Sequence, residues 1–230
     1  MKATALHSHA LLALFALLAL PSLVQAQRIH AFVSSGITAS QIEGDELRGF
    51  KQIGYTGGVG ALTSISSNNR WGISIEALFS QRGSHSSGNT RYYLYGLDIR
   101  SNYIEIPLLL HWQDRHGGML LGAGVSYGRL VRQPHGTVSF NPTFFVPDTT
   151  DKDFLSSDFM VVADARFTIW RGLQLNLRWQ HSLIPVKRDW TFRRFDGYEA
   201  DSEGNPVERW KTWSNNCYNH SLVLRLIWQF

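Results

Sequence analysis

The residues of this sequence that could do chemistry are ionisable side chains set inside alternating apolar segments. Six of them share this setting: Glu76, Glu105, Asp164, Arg166, Arg178 and Arg225. Successive side chains of a strand point to opposite faces, so in extended segments these charges would lie opposite the apolar residues. Buried charges are tolerated when they are paired, and the pattern therefore predicts a structural ion network. The alternatives are a ligand or proton path, or acid and base catalysis by Glu76 and Glu105.

Serine and histidine are adjacent at two places, His181 with Ser182 and His220 with Ser221. Adjacent residues of a strand face opposite sides, which argues against a catalytic dyad within either pair. His181 and His220 share the apolar face and could meet there to contact lipid phosphates or a metal. We interpret them as solvated histidines at a membrane interface, and we predict no catalytic residue and no metal site.

Composition restricts the remaining classes of site. Cys217 is the only cysteine, which excludes an intrachain disulfide framework and a cysteine-based zinc site. The net charge of +4 is small and spread along the chain, so nucleic acid is not a predicted partner. No cofactor is predicted.

Alternating apolar and polar residues define the strands that would position these side chains. Trp71, Ile73 and Ile75 alternate with Ser74 and Glu76, for example, and several later segments repeat the pattern. The charged members then share the face away from lipid, as a membrane requires, because an Arg or Lys facing lipid at mid-bilayer costs about 2–4 kcal/mol. The predicted strands are residues 28–38, 53–65, 71–83, 101–113, 118–132, 158–170, 173–186 and 217–230.

The connections between these strands alternate between short and long. Short joints are predicted at residues 66–70, 114–117 and 171–172, and long ones at 39–52, 84–100, 133–157 and 187–216. A bacterial barrel with both termini in the periplasm has short turns on one side and longer loops on the other. The pattern predicts an all-β fold, an eight-stranded antiparallel up-and-down transmembrane β-barrel.

Both ends of the chain agree with this prediction. Residues 1–26 combine Lys2, an apolar run and a small-residue site ending at Ala26, which predicts a signal peptide cleaved after Ala26 and a barrel domain over residues 27–230. Residues 221–230 alternate and end on Phe230, and a terminal aromatic strand of this kind resembles the closing strand of outer-membrane barrels. We therefore expect the cell outer membrane as the location and its lipid as a partner.

Four tryptophans fall at the short-joint ends of predicted strands. They are Trp71, Trp112, Trp170 and Trp228. Tryptophan is enriched where a membrane protein meets the polar interface, so these rings predict an aromatic belt on the periplasmic side.

The last long joint, residues 187–216, is the candidate partner-binding loop. It carries six basic and six acidic residues together with six aromatic rings: Trp190, Phe192, Phe195, Tyr198, Trp210 and Trp213. Aromatic and arginine side chains are frequent interface anchors. The rings would either bind an envelope protein or fold back over the barrel mouth, and the sequence leaves both interpretations open.

Several segments of the first half resemble the PorT-like outer-membrane β-barrel family of Bacteroidota. The similarity includes Gly44 with Asp45, Gly54 with Tyr55, residues 76–83 and residues 103–110, where His111 stands in place of the Lys that often follows the leucine run. The resemblance implies a non-enzymatic barrel with a structural or protein-interaction role in the envelope, linked to a secretion assembly. The competing classes are a lipid-modifying barrel enzyme and a small-ligand-binding barrel.

Overall fold

The computed structural model describes residues 29–87, 95–140, 145–147 and 153–230. The predicted signal peptide, residues 1–26, lies outside them. The described strands are β1 Ile29–Glu43, β2 Gln52–Ser64, β3 Trp71–Ser87, β4 Tyr95–Gln113, β5 Met119–Phe140, β6 Phe145–Pro147, β7 Ser157–Trp170, β8 Leu173–Ser182, β9 Lys187–Ala200 and β10 Pro206–Gln229. Within these ranges, no helix has the length and apolar character needed to cross a bilayer.

Eight of the strands close into an antiparallel barrel. Neighbours follow the order β1, β2, β3, β4, β5, β7, β8 and β10, and β10 pairs back with β1. The predicted eight-stranded up-and-down barrel is therefore confirmed.

Gly36 shows how the closing pair accommodates an inward side chain. It lies opposite Arg225 in the register of β1 and β10. A Cβ at this position would lie 2.1 Å from the Leu224 carbonyl oxygen and 2.9 Å from Cγ of Arg225. The missing side chain lets the two backbones approach and leaves room for the Arg225 side chain to enter the interior.

The two faces of the strands differ as the alternation predicts. On β3, for example, Ile73 and Ile75 are exposed on the outside while Ser74 and Glu76 are buried inside. The interior is therefore lined largely by polar side chains and the outside by apolar ones, the distribution expected of a barrel that faces lipid.

Several strands extend beyond their predicted ends on the long-joint side. The largest correction concerns residues 187–216, predicted to be a loop. Residues 187–200 form β9, which pairs with the first half of β10 as a hairpin, and β6 adds a further short strand to β9. The prediction was wrong because pairing of Phe192 with Trp213 and of Phe195 with Trp210 provides cross-strand contacts that the loop length did not reveal.

An apolar cluster occupies the long-joint end of the barrel, where the hairpin leaves the rim. Its buried members are Ile42, Leu47, Leu97, Ile99, Tyr103, Leu130, Phe154, Val186, Trp190, Phe192 and Cys217. These residues come from the barrel strands, the joints and β9, so the cluster connects the base of the hairpin to the barrel wall.

Candidate functional site

Glu76 on β3 is the centre of the largest ion cluster inside the barrel. Its Oε1 accepts hydrogen bonds from Nη2 of Arg166 at 2.9 Å and from Nη2 of Arg178 at 2.6 Å. Its Oε2 accepts one from Nη1 of Arg225 at 2.8 Å. All four side chains are buried, so each charge depends on the others for compensation.

Asp164 on β7 is the second carboxylate of this cluster. Nε of Arg166 donates to Oδ1 at 3.2 Å and Nε of Arg178 to Oδ2 at 2.9 Å. Asn176 donates to Oδ2 at 2.9 Å and accepts from Nε of Arg225 at 2.8 Å. Three guanidinium groups thus surround two carboxylates, which leaves one positive charge in excess.

A second buried cluster contains Glu105 together with two residues that the sequence analysis did not assign to the network, Arg82 and Asp158. Arg82 forms ion pairs with both carboxylates, the one to Asp158 at 3.5 Å. Gln180 donates to Glu105 at 3.1 Å and Ser182 donates to Asp158 at 2.7 Å. This cluster carries one excess negative charge, so the two clusters together are neutral. The parity of Arg82 with Glu76, and of Asp158 with Asp164, was the signal that could have identified both residues.

A serine and a histidine from neighbouring strands do meet, although not at the pairs considered from the sequence. Ser74 Oγ lies 2.7 Å from His111 Nε2, within hydrogen-bond distance. That distance suits a nucleophile and its base. Both side chains, however, are 0% exposed inside the barrel, so a substrate has no access to them in this structure.

The four tryptophans predicted to form a belt lie at the short-joint ends of their strands and on the outside. Trp71 and Trp112 are cross-strand partners, and Trp170 and Trp228 are both exposed. Arginines of the joints lie over two of the rings, Arg70 at 5.1 Å from Trp112 and Arg171 at 5.9 Å from Trp170. The rings thus combine an apolar body with neighbouring charges, as aromatic residues at a membrane interface do.

The aromatic rings at the base of the hairpin fold back on the barrel. Trp190 and Phe192 are buried in the apolar cluster, and Trp213 packs against it. Phe154 contacts Trp190 at a ring distance of 6.3 Å, and the Lys187 ammonium lies 4.9 Å from the Trp190 ring. These three rings therefore pack against the rim of the barrel.

The remaining three rings form a separate cluster towards the hairpin tip. Phe195 lies 5.2 Å from Tyr198 and 5.6 Å from Trp210, and the Arg193 guanidinium lies 5.8 Å from the Trp210 ring. Tyr198 is 67% exposed. We call Phe195, Tyr198 and Trp210 the tip cluster.

His181 and His220, which the sequence placed on one face, are cross-strand partners on β8 and β10. Their ring centroids are 5.2 Å apart. His181 Nδ1 lies 3.9 Å from Oε2 of Glu43 on β1, a partner that the sequence analysis did not identify. The outer surface near the long-joint rim therefore holds two imidazoles and a carboxylate together.

Asp45, in the joint between β1 and β2, is a buried carboxyl at the same rim. Its Oδ1 accepts a hydrogen bond from the Leu47 backbone N–H at 2.9 Å. Burial raises its pKa to about 7, although the hydrogen bonds from Ser84 and Leu47 oppose that shift. The joint thus contains a carboxyl group that stays protonated in mildly acidic solution.

We expect Asp45 to contribute a loss of barrel stability as pH rises from about 4 to about 7. Over this range unfolded Asp45 has released its proton while folded Asp45 keeps it, so the folded state binds more protons and the free energy of unfolding falls. Chemical denaturation in detergent at several pH values measures how the free energy of unfolding changes with pH, and Asp45→Asn should remove the contribution of Asp45 to that change. An unchanged slope in Asp45→Asn would contradict the assignment of the titration to this residue.

Comparison with known proteins identifies the family. The family model described as "Outer membrane protein beta-barrel domain" matches residues 10–205. Among solved structures, the chain is similar to Ail of Yersinia pestis, at 11% identity over 88% of this chain and 99% of Ail, with a TM-score of 0.41. It is also similar to a major outer membrane protein of Thermus thermophilus, at 12% identity over 90% of this chain and 100% of that one, with a TM-score of 0.45. No curated protein matches the sequence significantly. Because the family model covers most of its length, this chain belongs to the outer membrane protein β-barrel domain family and is an outer-membrane β-barrel protein.

Proposed function

We propose that this protein is an outer-membrane barrel with a filled lumen, and that it serves as a structural or protein-interaction component of the cell envelope. The lipid-facing wall anchors the protein in the outer membrane, and the interior ion clusters fill the lumen. The hairpin presents a binding surface outside the barrel. The tip cluster, in which Tyr198 is 67% exposed on the paired hairpin strands, is the observation that carries the interaction role.

The packing of the interior supports the filled lumen. An eight-stranded barrel has an interior just wide enough for side chains, and here, among the described residues, four buried arginines and four buried carboxylates occupy it in two clusters whose charges sum to zero. A small-ligand-binding barrel would require an apolar interior instead. A lipid-modifying enzyme would require an accessible nucleophile, whereas Ser74 and His111 are buried.

The orientation in the membrane is part of the same proposal. Trp71, Trp112, Trp170 and Trp228 form the periplasmic aromatic belt, and the signal peptide is cleaved after Ala26. The long joints and the hairpin then face the outside of the cell. Membership in the PorT-like group of Bacteroidota, and a place beside a secretion assembly, are the finer assignments that the sequence resemblance supports.

The base of the hairpin supports the structural role, and its tip supports the protein-interaction role. Trp190 and Phe192 contribute their surface to the apolar cluster and are not available to a partner. The tip cluster makes most of its ring contacts within the hairpin, and Tyr198 is largely exposed. An exposed tyrosine beside partly buried aromatic rings and an arginine has the composition of an interface anchor.

A photo-crosslinking amino acid at Tyr198 tests the interaction role in native envelopes. We expect discrete crosslinked protein bands, and we expect Phe195→Ser with Trp210→Ser to reduce their yield at least fivefold because the tip cluster supplies the contact. The same crosslinker at exposed Arg115, in a short joint at the opposite end of the barrel, is the matched control. Equal band patterns from positions 198 and 115, or an undiminished yield in the double variant, would refute a partner at the tip.

A further inference from the structure

We propose that Glu43, His181 and His220 form a binding site for a divalent transition-metal ion of the zinc class on the outer surface of the barrel. The site lies at the long-joint rim and is separate from both the ion clusters and the tip cluster. It provides one carboxylate and two imidazole ligands.

Three adjacent strands hold the ligands. His220 on β10 lies directly opposite His181 on β8. On the other side of β10, Glu43 on β1 lies opposite Tyr218, two residues from His220. Diagonal neighbours of this kind are within reach of long side chains on one face of a sheet. The hydrogen-bonded wall thus fixes the relative positions of all three residues before any ion binds.

The distances fit a site that closes on an ion. One ligand atom from each residue lies within 4.8 Å of the others. Zinc bonds of about 2.0–2.1 Å place neighbouring ligand atoms roughly 3.3 Å apart in a tetrahedron. The required shortening is at most about 1.5 Å, which side-chain rotation can provide because Glu43 and His181 are 56% and 29% exposed.

The ligand set indicates which ions would bind. Imidazole suits zinc, copper and nickel, whereas calcium and magnesium prefer oxygen ligands alone. Three protein ligands leave a further position of a tetrahedral ion for water or an external group. Zinc is therefore the probe of choice, and magnesium is the ion that should not compete.

Trp179 makes binding at this site distinctive. Its indole N–H donates to His220 Nε2 at 2.6 Å. An indole nitrogen can only donate, so Nε2 carries a lone pair in this arrangement. If Nε2 of His220 binds the ion, its lone pair can no longer accept the hydrogen bond from the indole. If Nδ1 binds the ion instead, the imidazole proton moves to Nε2, which then points a hydrogen at the indole N–H and cannot accept from it. Binding through either nitrogen of His220 therefore breaks this hydrogen bond.

Calorimetric titration of tag-free folded protein in detergent with zinc chloride tests the proposal. We expect one ion per chain, unaffected by millimolar magnesium, and at least tenfold weaker binding in Glu43→Gln, His181→Asn and His220→Asn. Trp179→Phe should bind several-fold more tightly because it removes the competing hydrogen bond. His116→Asn, at a histidine that is 94% exposed in a short joint, should bind as the unmodified protein does.

Folding of each variant is checked by its heat-dependent migration on detergent gels. The substituted side chains lie on the outer wall, so the interior clusters remain intact. Absence of stoichiometric zinc binding in the unmodified protein would overturn the proposal. Unchanged affinity in folded His181→Asn, or in Trp179→Phe, would overturn it as well, the latter because His220 would then not be a ligand.

Discussion

Replacing Glu76 by alanine is expected to lower the free energy of unfolding by about 3–5 kcal/mol, the cost of removing one partner from a buried ion pair. Glu76 accepts hydrogen bonds from Arg166, Arg178 and Arg225. Without it, three buried guanidinium groups would share the single carboxylate of Asp164. Denaturant titration of the protein in detergent micelles measures the loss.

Comparison with Arg225→Gln makes this prediction specific to charge. Removing Arg225 leaves Arg166 and Arg178 with Glu76 and Asp164, two charges of each sign, so Arg225→Gln should cost less than Glu76→Gln even though it shortens a buried side chain and Glu76→Gln does not. Glu199→Gln, at an exposed position of the hairpin, should change stability by no more than about 0.5 kcal/mol. An order in which Arg225→Gln costs more would contradict the charge balance described above.

The filled lumen has an independent electrical test. The unmodified protein should show no steady conductance in a planar bilayer, because paired side chains occupy its interior. Large stable channels would refute the filled lumen even if the stability order held.

Phe192→Ala is expected to destabilise the protein by about 3–5 kcal/mol, the usual cost of truncating a fully buried phenylalanine. Phe192 is 0% exposed within the apolar cluster at the barrel mouth. Its side chain connects the hairpin to the wall, so the truncation should also loosen the base of the hairpin. Denaturant titration gives the energy, and limited proteolysis reports cleavage within residues 187–216.

Phe195→Ala is the matched control, the same substitution three residues away. Phe195 belongs to the tip cluster and is only half-buried, so its truncation should cost about 1 kcal/mol or less. Equal losses for the two variants would show that the base and the tip do not differ as the structure indicates.

The sequence by itself determined the barrel and the side of the wall on which each charge lies. The alternation of apolar and polar side chains with a period of two is a local property of each strand. It can be recognised in a single strand because a charge that faces lipid is costly. Glu76, Glu105, Asp164, Arg166, Arg178 and Arg225 were therefore placed in the interior from neighbours a few positions away. The change from short to long joints then gave the order in which the strands pair.

Only the tertiary structure decided which of these charges meet and what the rims contain. Glu76 and Arg225 are 149 positions apart, and their hydrogen bond depends on barrel closure and on strand register, which no local pattern encodes. The same closure brings Glu43 on β1 to His181 and His220 from the other end of the chain. The structure of residues 187–216 also depends on the tertiary fold. They form a hairpin and not the predicted loop because of their cross-strand contacts and the burial of Trp190 and Phe192. Neither of these is visible in a single segment of the sequence.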